Sequence, residues 1–363
     1  MSSAAVVRTS LSTTPRSSTV RRRRPIVSGG PWKSPTYADS TVLDNVDGED
    51  LEIRRAAVEA LGPYNGSVVV VDSTTGRILT IVNQKLALQG GFIPCSTIKL
   101  VASLAALTEG VMDPHTPLFI TRRYSLDLTD ALAHSNNPYF ATLGRKLGFE
   151  RVSYYAKLYG LGEKASLDLE NEQPGILPES DPPEGVGMMT SFGTGISMTP
   201  LELAALLSAI SNGGTLYYLQ YPRTQEEAAQ LTPRIKRQFE WGPWISDLKT
   251  GMKAVTDYGT GRRAAYDPNE PILGKTGTCT DFRSAYHMGW FGSFNETGAH
   301  KLVVVVMLTG GRTVSGPIAA GVAGGVYKNL SQQNYFAVNG PIAEEKPKDP
   351  FPILTSSPTC CAR

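Results

Sequence analysis

The segment GFIPCSTIKLVASLAALTEG, residues 91–110, places a serine and a lysine three positions apart, where a proline-containing stretch passes into an apolar run. The spacing of the apolar residues predicts a helix that begins near Ser96 and ends at Gly110. Side chains three residues apart on a helix share a face, so Ser96 and Lys99 are expected to be neighbours. This pattern fits a nucleophile with its base, and it also fits a helix that simply begins at a favourable capping serine.

A catalytic role for Lys99 requires a neutral amine. Its pKa would have to fall by about three units from near 10.4, at a cost of roughly 4 kcal/mol, which requires burial or a second positive charge nearby. The apolar residues around Lys99 favour burial, and the free N–H groups of a helix start would stabilise negative charge on Ser96. Ser246 and Lys249 have the same spacing, so spacing alone does not decide between the two interpretations.

The stretch HSNNPYF, residues 134–140, contains a serine and an asparagine separated by one residue and followed by proline. The Ser135 hydroxyl and the Asn137 carboxamide could relay a proton and hold a substrate amide. The same letters also fit a helix start, with Asn137 as the N-cap and Pro138 in the first helical position. Ser293–Asn295 repeats the pattern in what we predict to be a hairpin turn.

The stretch ILGKTGTCT, residues 272–280, has the character of a strand but contains an interior glycine. Glycine weakens a strand unless another backbone must approach closely, so Gly277 indicates a ligand lying along an edge strand. The residues expected to supply charge and hydroxyls to a substrate carboxylate are Lys275, Thr276 and Thr278. The similar Lys249–Gly251 lies in a predicted helix, which offers no strand edge to a ligand.

The order of predicted elements is a helix, a hairpin, a long helical region, three strands and a final helix. It predicts an α+β domain at residues 49–332, in which one antiparallel sheet is built from both ends of the chain. The sheet lobe takes in about 49–103 and 262–332, and the helical lobe about 104–261. Residues 1–48 are predicted to be a disordered basic tail and residues 333–363 a proline-rich tail.

Composition excludes several classes of function. A content of 41% hydrophobic and 19% charged residues is that of a globular protein, and a net charge of +2 does not indicate a nucleic-acid partner. Four cysteines and four histidines show no metal-binding spacing and no disulfide framework, so we expect no metal and no cofactor. The apolar runs are too short to span a membrane, and no apolar segment of a signal peptide follows Arg21–Arg24.

The three motifs in this order, together with segments such as LTDALAHSNNPYFATLGRKLG, SMTPLELAALLSAISNGGTLY and GWFGSF, resemble the transpeptidase domain of penicillin-binding proteins. The resemblance covers about residues 50–330. It implies a five-stranded antiparallel sheet flanked by helices with a largely helical second lobe, a fold that serine β-lactamases share.

The resemblance also implies roles for individual residues. Ser96 would be the acylated nucleophile, Lys99 its general base and Ser135 the relay of protons to the leaving group. The residues implied in substrate binding are Asn137, Lys275, Thr276, Gly277 and Thr278. The backbone N–H groups of Ser96 and Thr278 would form the oxyanion hole. The family has glycine before the nucleophile where this chain has Cys95, and we expect Cys95 and Cys279 to be small buried hydrophobes.

The implied reaction is serine acyl transfer from the D-Ala-D-Ala end of a peptidoglycan stem peptide to an amine of a second strand, with β-lactams as mimics of the dipeptide. Members of the family act outside the cytoplasm, in the periplasm, so the resemblance implies that location. The sequence does not indicate which other cell-wall synthesis proteins would bind this chain. The alternatives are a D,D-carboxypeptidase, a β-lactamase and a non-catalytic β-lactam sensor. A β-lactamase needs a deacylation base, and the acidic Glu170 and Glu172 are expected to be merely solvated.

Overall fold

The computed structural model describes residues 32–281 and 285–337. Within them the strands are β1 (Gly66–Asp72), β2 (Ile78–Val82), β3 (Leu118–Thr121), β4 (Tyr124–Leu126), β5 (Thr215–Tyr218), β6 (Arg234–Gln238), β7 (Ile272–Asp281), β8 (Tyr286–Asn295) and β9 (Leu302–Gly310). The helices are α1 (Leu51–Leu61), α2 (Gln84–Leu88), α3 (Lys99–Thr108), α4 (Leu128–Ala133), α5 (Asn137–Leu147), α6 (Phe149–Leu158), α7 (Val186–Phe192), α8 (Pro200–Asn212), α9 (Gln225–Gln230), α10 (Trp244–Asp257) and α11 (Gly316–Ser331), with 3₁₀ turns at Cys95–Ile98 and Arg262–Ala264.

The main sheet has the strand order β2-β1-β9-β8-β7, and all of its neighbouring strands are antiparallel. The valines of β1 and β9 are fully buried on both faces, because helices cover the sheet from both sides. Gly292 of β8 lies against Leu203 and Leu207 of α8, whereas the adjacent Ser293 contacts Tyr327 of α11 on the opposite face. The predicted fold class, an antiparallel five-stranded sheet with helices, is confirmed.

The second lobe is organised around α3. Every residue from Lys99 to Leu107 is buried, and α3 packs against α5, α6, α7 and α10. A helix that is apolar on all sides is one that other helices surround, which is what the run of leucines and alanines requires. The short pairs β3–β4 and β5–β6 also lie in this lobe, which the sequence pattern predicts to be largely helical. Their strands are three to five residues long and partly exposed, so they carry little periodic signal.

Several local predictions differ from the structure. Ser96 lies inside the 3₁₀ turn that leads into α3, not at an α-helical N-cap. The N-cap of α5 is Asn136, whose side chain accepts a hydrogen bond from the Tyr139 N–H at 2.9 Å, so Asn137 is already inside the helix. Ser293–Asn295 lies in β8 and not in a turn. The shift of one position at α5 arises because the neighbouring Asn136 and Asn137 are equally good capping residues.

Residues 32–48 differ from the predicted N-terminal tail, since they pack on the domain. The Asp44 carboxylate pairs with Arg54 of α1 at 2.8 Å, and the Ser34 and Thr309 hydroxyl oxygens lie 2.9 Å apart. Asp44 finds its partner 10 positions away and Ser34 finds its partner 275 positions away, and composition alone reveals neither contact. Residues 1–31 and 338–363 of the two predicted tails lie outside the described residues.

Glu172 was expected to be solvated, but its carboxylate is fully buried. It accepts hydrogen bonds from the Ala165 N–H at 2.8 Å, from the Ser166 N–H at 3.0 Å and from the Ser166 hydroxyl. These three bonds close a turn of the loop between α6 and α7, so Glu172 organises the chain here. Glu170, by contrast, is exposed as expected.

We predict that Glu172→Ala lowers the free energy of unfolding by about 3 kcal/mol, because buried donors lose their acceptor. Urea denaturation followed by circular dichroism measures the change. Glu170→Ala serves as the matched control, and its free energy of unfolding should change by less than about 0.5 kcal/mol. Equal, small changes in both variants would contradict a structural role for Glu172.

Candidate active site

One residue from each of the three sequence motifs meets at the hydroxyl of Ser135. Lys99 Nζ lies 3.0 Å from Ser135 Oγ, and Lys275 Nζ lies 2.9 Å from the same atom. Lys99 also donates to Asn137 Oδ1 at 2.6 Å and to the Ser135 carbonyl at 2.7 Å. The structure therefore joins α3, the α4–α5 turn and β7 through a single polar cluster between the two lobes.

The two lysines of this cluster are completely buried. Burial lowers the pKa of Lys99 to about 6, and the positive charge of Lys275 acts in the same direction. Burial alone lowers the pKa of Lys275 to about 7. The charged form of an amine is penalised when it leaves water, and two neighbouring ammonium groups repel each other. At neutral pH the Lys99 amine is therefore mostly unprotonated and able to accept a proton.

Ser135 is held in a backbone conformation that few residues adopt. Its φ of +52° lies in the left-handed region. The Ser135 N–H bonds to the Leu132 carbonyl at 3.1 Å and the Asn136 N–H to the Ala131 carbonyl at 2.9 Å, so the end of α4 fixes this turn. Such strained conformations persist where the surrounding structure determines them, and they concentrate at functional sites. The turn directs the Ser135 hydroxyl to both lysines.

Ser96 is partly exposed, whereas Thr97, Ile98 and Lys99 after it are buried. The hydrogen bonds of Lys99 Nζ go to Ser135 and Asn137, and none joins it to Ser96 Oγ among the described residues. The 3₁₀ turn places Ser96 one turn before Lys99, and Ser96 is the partly exposed residue of this turn. The serine and lysine of the first motif are thus neighbours along the chain with different environments.

Strand β7 forms one edge of the main sheet, as the glycine in its sequence predicts. A Cβ at Gly277 would lie 3.1 Å from the Pro94 carbonyl oxygen and 3.3 Å from the Ser96 nitrogen, so glycine lets β7 approach the Ser96 turn. Thr278, the next residue, is exposed. Thr276 is buried, and its hydroxyl oxygen lies 2.6 Å from that of Thr260. The Thr278 hydroxyl accepts a hydrogen bond from the Gly316 N–H at 2.7 Å.

The matching motifs elsewhere in the chain do not reach this cluster. Lys249–Gly251 lies on α10, and Lys249 pairs with Glu296 at 2.7 Å. Ser246 is exposed on the first turn of the same helix. Among the described residues, no group of three or more histidine, cysteine or acidic side chains is arranged to hold a metal ion. In that same part of the chain, no helix has the length and apolar character needed to cross a membrane.

Cys95 and Cys279 form a disulfide bond, which the sequence analysis missed. Their Cα atoms are 5.6 Å apart, although 184 positions separate them in the chain. Cys95 is completely buried, as expected of a small hydrophobe, but its sulfur is bonded and not merely packed. The only sequence signal was that each cysteine adjoins a motif, one before Ser96 and the other after Thr278.

Chemically, the site combines a partly exposed serine, a buried amine with a lowered pKa, a second hydroxyl between two amines, and an edge strand that is exposed at Thr278. A basic amine beside a serine is an arrangement that activates a nucleophile for acyl transfer. The strand edge offers backbone groups along which an extended peptide can bind.

Comparison with known proteins agrees with this geometry. The model of the penicillin-binding protein transpeptidase domain matches residues 66–328. Stage V sporulation protein D of Bacillus subtilis is 28% identical over 330 residues, which cover 79% of this chain and 50% of that protein. Peptidoglycan D,D-transpeptidase MrdA of Haemophilus influenzae is 25% identical over 380 residues, which cover 82% of this chain and 58% of that protein. The chain spans about half the length of these relatives.

A solved structure supports the same relationship at the level of the fold. The crystal structure of Pseudomonas aeruginosa PBP2 in complex with WCK 5153 superposes with a TM-score of 0.67. The match covers 82% of this chain and 78% of that chain at 22% sequence identity. Because the family model covers most of the chain, this protein belongs to the penicillin-binding protein transpeptidase domain family.

Proposed function

We propose that this protein is a serine D,D-transpeptidase that acts on the D-Ala-D-Ala ends of peptidoglycan stem peptides and is acylated by β-lactams. The observation that carries the proposal is the buried Lys99 amine, which has a pKa of about 6 and lies in the turn that follows Ser96. Its relatives include proteins named peptidoglycan D,D-transpeptidase. The site of action would then be outside the cytoplasm, where peptidoglycan is cross-linked.

In the proposed acylation, neutral Lys99 keeps its two N–H groups on the Ser135 carbonyl and Asn137 Oδ1. Its lone pair is then available to take the Ser96 proton as Ser96 Oγ attacks the substrate carbonyl. The oxyanion that forms would be bound by the backbone N–H groups of Ser96 and Thr278, a kind of interaction worth roughly 3 to 4 kcal/mol per donor. A neutral base and a preformed donor pair together make serine a competent nucleophile.

Collapse of the tetrahedral intermediate breaks the bond between the carbonyl carbon and the leaving nitrogen. The proton on Lys99 would pass to Ser135, whose hydroxyl proton would go to the departing amine of D-alanine. The distance of 3.0 Å between Lys99 Nζ and Ser135 Oγ suits this transfer. Lys275 Nζ lies 2.9 Å from Ser135 Oγ on the other side. Its hydrogen bond would orient the Ser135 hydroxyl and stabilise the negative charge that develops on Ser135 Oγ as the hydroxyl proton leaves.

Substrate binding would use the edge of β7. The stem peptide would lie along this strand in an extended conformation, with its terminal carboxylate near Thr276, Thr278 and Lys275. Gly277 would leave room for the peptide backbone as well as for the Ser96 turn. Asn137 would bind the amide of the acyl side with the part of its carboxamide that Lys99 does not occupy.

Release of the acyl group would occur by attack of an amine from a second strand. The carboxypeptidase and β-lactamase alternatives require water as the attacking group and, for rapid hydrolysis, a carboxylate base. Of the two acidic candidates of the α6–α7 loop, Glu170 is exposed, and Glu172 is buried and accepts three hydrogen bonds within its own loop. This engagement favours a long-lived acyl-enzyme over rapid hydrolysis.

The first test is the intact mass of the protein after a pulse of benzylpenicillin. We expect a stable adduct in the native chain, no adduct in Ser96→Ala and an unchanged adduct in Ser246→Ala, because Ser96 lies in the turn that leads to the buried Lys99 whereas Ser246 is exposed on α10. Ser246→Ala is the matched control, since it removes the serine of the second S-x-x-K pattern. Loss of the adduct in both variants would contradict the assignment of Ser96. An adduct that disappears within seconds while the drug is consumed would instead indicate a β-lactamase.

The second test is the pH dependence of acylation. With a pKa of about 6, Lys99 is unprotonated in about nine-tenths of the molecules at pH 7 and in about a tenth at pH 5. The rate constant of acylation should therefore fall about tenfold between pH 7 and pH 5. Stopped-flow measurements with benzylpenicillin give this constant, and circular dichroism at both pH values controls for unfolding. A flat profile, or faster acylation at pH 5, would contradict Lys99 as the base.

A further inference from the structure

We propose that the Cys95–Cys279 disulfide is a positioning element of the active site, which holds together the two segments that carry the oxyanion-binding N–H groups. The inference rests on the proposed function, because it concerns the donors of Ser96 and Thr278. Cys95 directly precedes Ser96, and Cys279 directly follows Thr278. The bond therefore joins the two segments one residue away from each proposed donor.

The conformation of Cys95 bears directly on the Ser96 donor. The Ser96 N–H belongs to the peptide group that follows Cys95, so its direction depends on the backbone torsion angles of Cys95. Cys95 has a φ of +53°, in the left-handed region that residues other than glycine adopt at a cost. The disulfide ties its side chain to β7, and so opposes relaxation of this backbone into a more common conformation.

The position of β7 shows why a covalent tie has an effect here. As an edge strand, β7 is hydrogen-bonded to β8 and, in the part of the chain that the structure describes, to no other strand of the sheet. Against the Ser96 turn it makes a close packing contact at Gly277, which has no side chain to anchor it. The turn itself is attached to the sheet by the hydrogen bond from Trp290 Nε1 to the Ile93 carbonyl at 3.2 Å. The disulfide is a covalent link across the gap that the substrate carbonyl would enter.

If the disulfide positions the oxyanion donors, its loss should affect the rate constant of acylation more than the affinity for the β-lactam. Oxyanion donors act on the transition state and contribute little to ground-state binding, so their displacement lowers the rate of the chemical step. A displacement of about 1 Å at such a site can cost up to a hundredfold in rate. We expect loss of the bridge to lower the rate constant of acylation about tenfold, and to change the dissociation constant of the non-covalent β-lactam complex less than twofold.

The experiment uses the full chain with Cys360→Ser and Cys361→Ser, a parent in which Cys95 and Cys279 are the remaining cysteines. Dithiothreitol reduces the bridge: it supplies two electrons and two protons, the S–S bond becomes two thiols, and the reagent closes to its cyclic disulfide. After anaerobic removal of the reagent, thiol titration confirms reduction. Stopped-flow kinetics with benzylpenicillin then give the acylation rate constant and the dissociation constant separately.

A variant that also carries Cys95→Ala and Cys279→Ala provides the second route to the unbridged protein. It should match the reduced parent and should not respond to dithiothreitol. If the variant does not fold, the acylation rate of the reduced parent tests the inference. If dithiothreitol does not reach the buried disulfide, the acylation rate of the variant tests it. Thermal unfolding shows that each sample is folded at the assay temperature.

The outcomes separate this inference from the proposed function. A folded, unbridged protein that is acylated at the parental rate, even with a lower melting temperature, would show that the bridge only stabilises the fold and would overturn the inference. A lowered affinity with an unchanged acylation rate constant would overturn it as well. If the bridged parent is itself never acylated, the proposed function fails first. A tenfold slower acylation with unchanged affinity supports the positioning role.

Discussion

The site depends on the burial of the Lys99 amine. In water this amine would be protonated and could not accept a proton near neutral pH. Its position at the start of the fully buried α3, beside the equally buried Lys275, lowers its pKa to about 6. The helical lobe therefore shields the Lys99 amine from solvent. In the proposed mechanism, the core packing around α3 contributes because it excludes water from Lys99.

Burying two amines side by side is unfavourable for folding, and the structure compensates with hydrogen bonds. Lys99 is bound by the Ser135 carbonyl and by Asn137, and Lys275 donates to Ser135 Oγ and to the Thr276 carbonyl at 3.1 Å. Buried polar groups that have partners cost far less than orphaned ones. Ser135 thus has two roles, since it satisfies the lysines and lies on the proposed path of the proton.

The parts of the structure that were predicted from sequence are those with local signals. The apolar run after Lys99 predicted a buried helix, and the glycine in ILGKTGTCT predicted an edge strand; both predictions are confirmed. One of the features that were missed, the disulfide, depends on a contact between distant segments, and the others depend on how nearby segments fold onto each other. The Cys95–Cys279 bond spans 184 positions, and Asp44 finds Arg54 only after the N-terminal segment folds back. Glu172 was misread because an acidic loop residue is usually solvated, and only three-dimensional packing reveals its three donors.

The topology explains why distant contacts concentrate at the site. The Ser96 turn follows the first hairpin, whereas β7 enters the same sheet only after the whole helical lobe has been completed. The two segments that would frame the substrate carbonyl in the proposed mechanism therefore belong to opposite ends of the domain, and no local sequence element sets their separation. A glycine permits their approach, and a disulfide limits how far they part. A glycine before Ser96 would adopt the left-handed conformation without strain but could not be cross-linked, whereas Cys95 adopts that conformation and is covalently bonded to β7.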